Sequence, residues 1–221
     1  MKKRTCISQH TGSALVAIAA AAANVKVVAE ERGDTQITVS ATGDADRNAF
    51  MVDEALVDES GDRIALVVPV RPGTPVSTGQ LEIEGMIHNL AVLAAARLAG
   101  AAPVDVEVRT PLRSSITVHL GYGAVHADGL IEAAHVRTRE GDIDFGDVEI
   151  VALHAGGGDV RVRGLGAGGG SIAAEAGAIT VTARHSCSLI ASTIDGDITI
   201  DGAPIRLQAS SRTGSVRAGS L

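Results

Sequence analysis

Between residues 123 and 221 the chain repeats one order of apolar and polar positions six times, each time after a turn residue. The anchors are Gly123, Gly141, Gly158, Gly177, Gly196 and Gly214, spaced 18, 17, 19, 19 and 18 residues apart. Two positions after each anchor stands a β-branched residue: Val125, Ile143, Val160, Ile179, Ile198 and Val216. Two further on comes an apolar one: Ala127, Phe145, Val162, Val181, Ile200 and Ala218. Between them the residue is always polar: His126, Asp144, Arg161, Thr180, Thr199 and Arg217. Alternation with period two predicts a strand with one buried face, and β-branched residues suit that half-buried, pleated surface. A second strand precedes each anchor, with Val118, Val136, Leu153, Ile172, Ala191 and Ala209 five positions before it.

Two short strands joined by turns make one coil, and a fixed period of this size predicts a stack of such units. The expected fold class is therefore all-β, a β-solenoid (β-helix-like) with coils of about 18 residues. Neighbouring coils would stack roughly 4.8 Å apart. A sandwich of hairpins is the competing all-β reading; the constant offsets across six units favour the solenoid. The regular solenoid is expected at 104–221, inside a single elongated domain at 14–221, with 1–13 as a flexible leader.

The same register extends backwards. Aligning the repeat at Ala23 puts Val25 and Val27 on the inward positions after the anchor, and Ile18 and Val16 on those before it. Residues 1–23 also carry Lys2, Lys3 and Arg4 followed by an Ala-rich run, the layout of a signal peptide. The repeat favours a structural strand there and hence a cytoplasmic chain, with export as the alternative. No segment reaches the roughly 20 strongly apolar residues of a membrane-spanning helix. Residues 24–84 read as further strands, with a hairpin turn at 58–62 and an irregular connection marked by Pro69, Pro72 and Pro75. Between Gly85 and Gly100, residues Ile87, Leu90, Ala91, Ala94 and Leu98 share one helical face. They predict one short helix near 86–99 that covers a side or end of the stack. A partner-binding helix and a strand pair are the other readings.

Val136-Arg-Thr-Arg-Glu-Gly-Asp-Ile143 and Ser192-Thr-Ile-Asp-Gly-Asp-Ile198 share a Thr-x-x-Gly-Asp-Ile pattern that resembles the bacterial putative-adhesin family of β-strand-repeat proteins, a domain of unknown function. The early strands Asn24-Val-Lys-Val-Val28 and Gly33-Asp-Thr-Gln-Ile-Thr-Val39 resemble that family's N-terminal strands, and coverage is roughly residues 14–221. The resemblance implies a β-helix-like fold and brings no catalytic residues.

Composition narrows the function. Net charge is −7 without a basic stripe, and Phe50, Phe145 and Tyr122 are the aromatic residues. Nucleic-acid affinity rests largely on cationic patches and stacking platforms, so DNA and RNA are not expected as partners. Cys6 and Cys187 do not make a disulfide framework. His119 and His154 share an outward column but lie two strand spacings apart, roughly 9.6 Å, too far for one zinc at about 2.1 Å per bond. His135 and His185 fall out of register, and the histidines read as solvated surface groups. Asp142 and Asp159 stack in adjacent corners and are weak candidates for a calcium ion; turn formation is the favoured role. Asp144 faces Arg161, an expected ion pair worth about 0–1 kcal/mol. The Gly-rich stretches at 156–159 and 164–170 lack the helix and Lys of a phosphate loop.

No metal and no cofactor are expected. The expected function is a non-catalytic structural or interaction solenoid that meets a protein partner, or a second copy, through its C-terminal coil, where no polar cap follows the sixth strand pair. The alternative is a β-helical enzyme acting on a polysaccharide or other polymer, with Asp142 and Asp144, or Asp195 and Asp197, as its carboxylates.

Overall fold

The computed structural model of the chain describes residues 2–41, 45–69, 104–202 and 204–219. The fold is all-β with one short helix, and its strands form one sheet that does not close on itself. In chain order the elements are β1 (Lys3–Ile7), β2 (Leu15–Glu30), β3 (Gln36–Ala41), α1 (Ala45–Asp53), β4 (Leu56–Ser60), β5 (Arg63–Val68), β6 (Val104–Pro111), β7 (Ser115–Tyr122), β8 (Val125–Glu140), β9 (Ile143–Gly157) and β10 (Val160–Ala176). They are followed by β11 (Ile179–Ala183), β12 (Ser188–Asp195), β13 (Ile198–Asp201), β14 (Arg206–Ser211) and β15 (Val216–Gly219).

Long strands β2, β8, β9 and β10 run round corners, so each contributes to two faces. On the first face Val25, Val125, Ile143, Val160, Ile179, Ile198 and Val216 pair in one parallel register. On the second, Leu66, Ile18, Val118, Val136, Leu153, Ile172, Ala191 and Ala209 do the same. These are the columns that the repeat defined, and they point inward: Val118, Val136, Ile143, Val160, Ile179 and Ile198 are buried, with Phe145 the largest side chain of the interior. Burying both columns supplies the main stabilisation, about 25 cal/mol per Å² of apolar surface.

The alignment at Ala23 also holds in space, since Val16, Ile18, Val25 and Val27 pair with Ile116, Val118, Val125 and Ala127. In β2 the outward Ala17, Ala19 and Ala21 are buried as well. Small side chains on both faces account for the Ala run there.

The corner is where backbones come closest. Gly177 has φ +144°, and a Cβ on it would lie 2.0 Å from the carbonyl oxygen of Gly158. A Cβ on Gly158, at φ +119°, would lie 2.5 Å from that of Gly141. Each anchor glycine thus rests on the backbone of the corner before it with no room for a Cβ, and from Gly123 to Gly196 the anchors also hold a positive φ that favours glycine. The residue three before the anchor fastens the same corner. Thr193 donates its hydroxyl to Gly177 O at 3.2 Å, and Ser211 donates to Gly196 O at 2.8 Å. Of the two Thr in the Thr-x-x-Gly-Asp-Ile pattern, Thr193 is thus a corner clamp between coils, whereas Thr138 donates to Glu140 O at 3.2 Å within its own turn.

Two expectations change at the head of the stack. The leader expected at 1–13 contains β1, which pairs antiparallel with β3. The stretch expected as strands alone between 24 and 84 includes α1, which packs on β3, β1 and β6. Its Met51 and Val52, with Ala55 just beyond, are buried against the core, and Arg4 Nη1 donates to the carbonyls of Asp53 and Ala55 at its C-terminus. Contiguous apolar residues at 50–52 fit a strand as readily as one turn of helix. The hairpin turn at 58–62 forms as read, with Gly61 at φ +63° between β4 and β5. The helix expected near 86–99 lies outside the described residues.

Replacing Gly177 by Ala is expected to destabilise the fold by at least about 2 kcal/mol. Gly33→Ala, where no atom lies within 4 Å of the added Cβ, should change it by under about 0.5 kcal/mol. Urea titration of both variants checks this, and equal midpoints would contradict the corner contact.

Candidate functional site

At the corners, the two calcium candidates are committed to the stack itself. Asp142 Oδ1 accepts the Asp159 N–H at 2.8 Å, and Asp159 Oδ1 accepts the Ala178 N–H at 2.8 Å. Asn24 serves Ala124 in the same way at 3.3 Å, and Asp197 Oδ1 accepts both the N–H and the hydroxyl of Ser215 at 2.7 and 2.9 Å. Those bonds from Ser215 hold the Asp197 carboxyl below its usual range. Ala178 has no acceptor to offer and interrupts the ladder. Each carboxylate binds the next coil's backbone, the role that Asx side chains play in turns. Among the described residues no three His, Cys, Asp or Glu side chains converge as a metal set.

The first face carries a charge cluster on the outward positions of β8, β9 and β10. His126 Nε2 lies 2.7 Å from Asp128 Oδ2, and its Nδ1 lies 3.4 Å from Asp144 Oδ2. Arg163 bridges the same two acids, with Nη2 at 3.0 Å from Asp128 and Nε at 3.2 Å from Asp144. Arg161 does stand opposite Asp144 in the register, yet the ion pair forms with Arg163, two residues on. On a pleated face that diagonal neighbour is within reach of a long side chain. The hydrogen bond from His126 is the first cause that lowers the Asp128 carboxyl, and Arg163 adds to it. Both imidazole nitrogens face carboxylates, and both carboxylates face Arg163. The cluster ties β8, β9 and β10 together. The signal for it was the run of charged residues at outward offsets three and five from the anchors.

The second face brings histidines together that the sequence kept apart. His135 stands opposite Thr117 and Ala152, in the same sheet face as His119. The His119 and His135 rings meet edge to face with centroids 5.5 Å apart. Arg137 lies between His119 and His154 in their column, as the repeat required. His119 is not a solvated surface group: it is half-buried, and its Nδ1 and that of His154 are enclosed without a hydrogen-bond partner. Burial, then the charges of His135 and Arg137, push His119 down to about 4.

The last coil differs from those before it. Ile198, Ile200, Leu189 and Ala191 are buried, whereas their successors are not: Val216 is 44% exposed, Ala218 is exposed, and Leu207 and Ala209 are half-buried. Among the described residues, β14 pairs with β12 alone and β15 with β13 alone. The N–H groups of Arg206 and Arg212 donate to Cys187 O and Thr193 O. Alternation along a parallel strand then directs the N–H groups of Leu207, Ala209 and Ser211 to the unpaired side. The site the geometry offers is this edge, flanked by the interior that it leaves half-covered.

No family model and no curated protein matches the chain. Among solved structures it is similar to a putative adhesin from Bacteroides fragilis, at 14% identity and TM-score 0.51, over 100% of this chain and 97% of that one. A putative cell adhesion protein from Clostridium sporogenes is aligned over 100% of both chains at 9% identity and TM-score 0.48. A putative adhesin from Parabacteroides distasonis is aligned over 100% of this chain and 97% of that one at 8% identity and TM-score 0.45. The chain has a putative-adhesin-like fold; at these identities the likeness is one of fold alone. Among the described residues no helix is long and apolar enough to cross a membrane.

Because His119 is depressed in the folded state, the unfolded chain binds its proton more readily between pH 6.5 and about 4. The stability it contributes is full above pH 6.5 and falls as pH drops towards 4, by on the order of 1 kcal/mol after allowance for partial exposure. His119→Gln should flatten that part of the stability curve in denaturant titrations at successive pH values. An unchanged slope would contradict the half-buried placement.

Proposed function

We propose that the chain is a non-catalytic β-solenoid that acts as an interaction scaffold, with the edge of β14 and β15 as its binding surface for a protein partner or a second copy. The in-register parallel columns support the solenoid reading. The observation that carries the function is the unpaired edge beside a half-covered interior. Such an edge presents a row of free N–H and C=O groups, a template for strand addition. The name of the Bacteroides fragilis protein, a putative adhesin, fits an interaction role.

Each carboxylate considered for a polysaccharide enzyme accepts a hydrogen bond within the protein, which supports the non-catalytic reading. Asp142 holds the Asp159 N–H, Asp144 is held by Arg163, Asp195 accepts the Thr213 hydroxyl at 2.9 Å, and Asp197 holds Ser215. General acid and base work requires carboxylates free to reach the scissile bond.

Co-purification from native lysate tests the reading, with Ala209→Pro as the edge-blocked control. Proline there removes a donor on the unpaired side and keeps the N–H groups that hold β14 to β12. A partner retained by the wild type and lost from Ala209→Pro, with equal thermal stability of the two proteins, is the expected outcome. An identical retained set, or polymer cleavage by the purified chain, would contradict it.

A further inference from the structure

The chemistry of the open edge selects the kind of strand that it takes. The final coil contributes Arg206, Arg212 and Arg217 and, from residue 202 onward, no Asp or Glu, in a chain whose net charge is −7. All three arginines are exposed, and none makes an ion pair or a side-chain hydrogen bond among the described residues; Arg217 acts only at a distance on Asp197. Elsewhere on the stack Arg163 is matched to Asp128 and Asp144, Arg184 to Asp147, Arg113 to Glu132 and Arg32 to Asp34, while Arg137, Arg139 and Arg161 are exposed on the faces. Three unmatched arginines therefore stand together beside β14 and β15, strands that are paired on one side only among the described residues.

We propose, building on the interaction edge described above, that β14 receives an extended segment of another protein in which apolar and acidic residues alternate. Alternate side chains of such a strand would cover Leu207 and Ala209, completing the interior column. The others would lie in the outward row of Arg206, Gln208, Ser210 and Arg212, where carboxylates find the unpaired guanidinium groups. Hydrogen bonds from the Leu207, Ala209 and Ser211 N–H groups supply the pairing, and the side chains set its sign and register.

A second copy docked tail to tail fits less well. Two such ends would bring arginines together without an acid between them. At the head of the stack α1 packs on β1, β3 and β6, and among the described residues β1 and β4 are each paired on one side only; the Ser8–His10 turn is fixed on Glu59, whose carboxylate accepts the Ser8 hydroxyl at 2.7 Å and the His10 N–H at 2.8 Å. On the first face, β1 would set Lys3 of a neighbouring copy against Arg217.

The test is fluorescence anisotropy with two synthetic peptides of alternating sequence, one valine–glutamate and one valine–lysine, N-methylated on alternate residues so that only one edge can pair. The acidic peptide should bind the full chain at least about ten-fold more tightly at low salt, with the difference shrinking as salt rises. The triple variant Arg206→Glu, Arg212→Glu, Arg217→Glu should reverse the order. The matching Arg→Gln triple should abolish the preference, and thermal melts of both variants confirm that they fold. Equal binding of the two peptides, or binding of neither, would overturn the proposal. Sedimentation velocity on the wild type separates the two levels of the argument. A reversible self-associated species without peptide preference would leave the edge as an interaction surface and overturn the acidic partner.

Discussion

The structure depends on one close approach, that of each corner glycine to the carbonyl of the corner before it. Strands of a parallel sheet sit roughly 4.8 Å apart, and a corner that turns the chain must keep to the same spacing. Gly177 over Gly158, and Gly158 over Gly141, satisfy it with backbone that has no room for a Cβ. Once the corners coincide, the register of both faces is fixed, because side chains alternate with period two and a slip of one residue would turn every inward valine outward. The Thr193 and Ser211 hydroxyls and the Asp142 and Asp159 carboxylates bind backbone across the same corners. Sequence features that look like a motif are thus parts of one joint.

That joint also uses the groups from which chemistry would be built. Turn aspartates spend their acceptor capacity on the neighbouring coil. On the first face His126, Asp128, Asp144 and Arg163 saturate one another. What remains unsatisfied among the described residues includes the enclosed Nδ1 atoms of His119 and His154 and a length of backbone along β14, with Arg206 and Arg212 beside it.

Much of the architecture could be read from residue order because layered repeats write the same physics at each period. The inward columns, the outward polar rows, the early strand at 14–28 and the hairpin at 58–62 all followed from alternation and turn residues. Features without a period were harder. α1 rests on a short apolar run whose neighbours settle its conformation, and β1 is a polar strand whose pairing with β3 supplies its order. Side-chain partners were legible only to the nearest row: Asp144 was matched to the arginine directly opposite it, whereas the long diagonal reach of Arg163 won. The His119–His135 contact joins neighbouring columns and needs the pleat, not the count, to be seen.

Native-state amide hydrogen exchange measures the stack and its open edge together. In a monodisperse monomer the account predicts that the amides of Ile143, Val160 and Ile179, which donate across the corners to Asp159, Ala178 and Asp197, exchange slowest. Those of Leu207, Ala209 and Ser211 should exchange close to unfolded rates. Protection of these three comparable to that of Ile179 would contradict the account, as would rapid exchange throughout the middle coils.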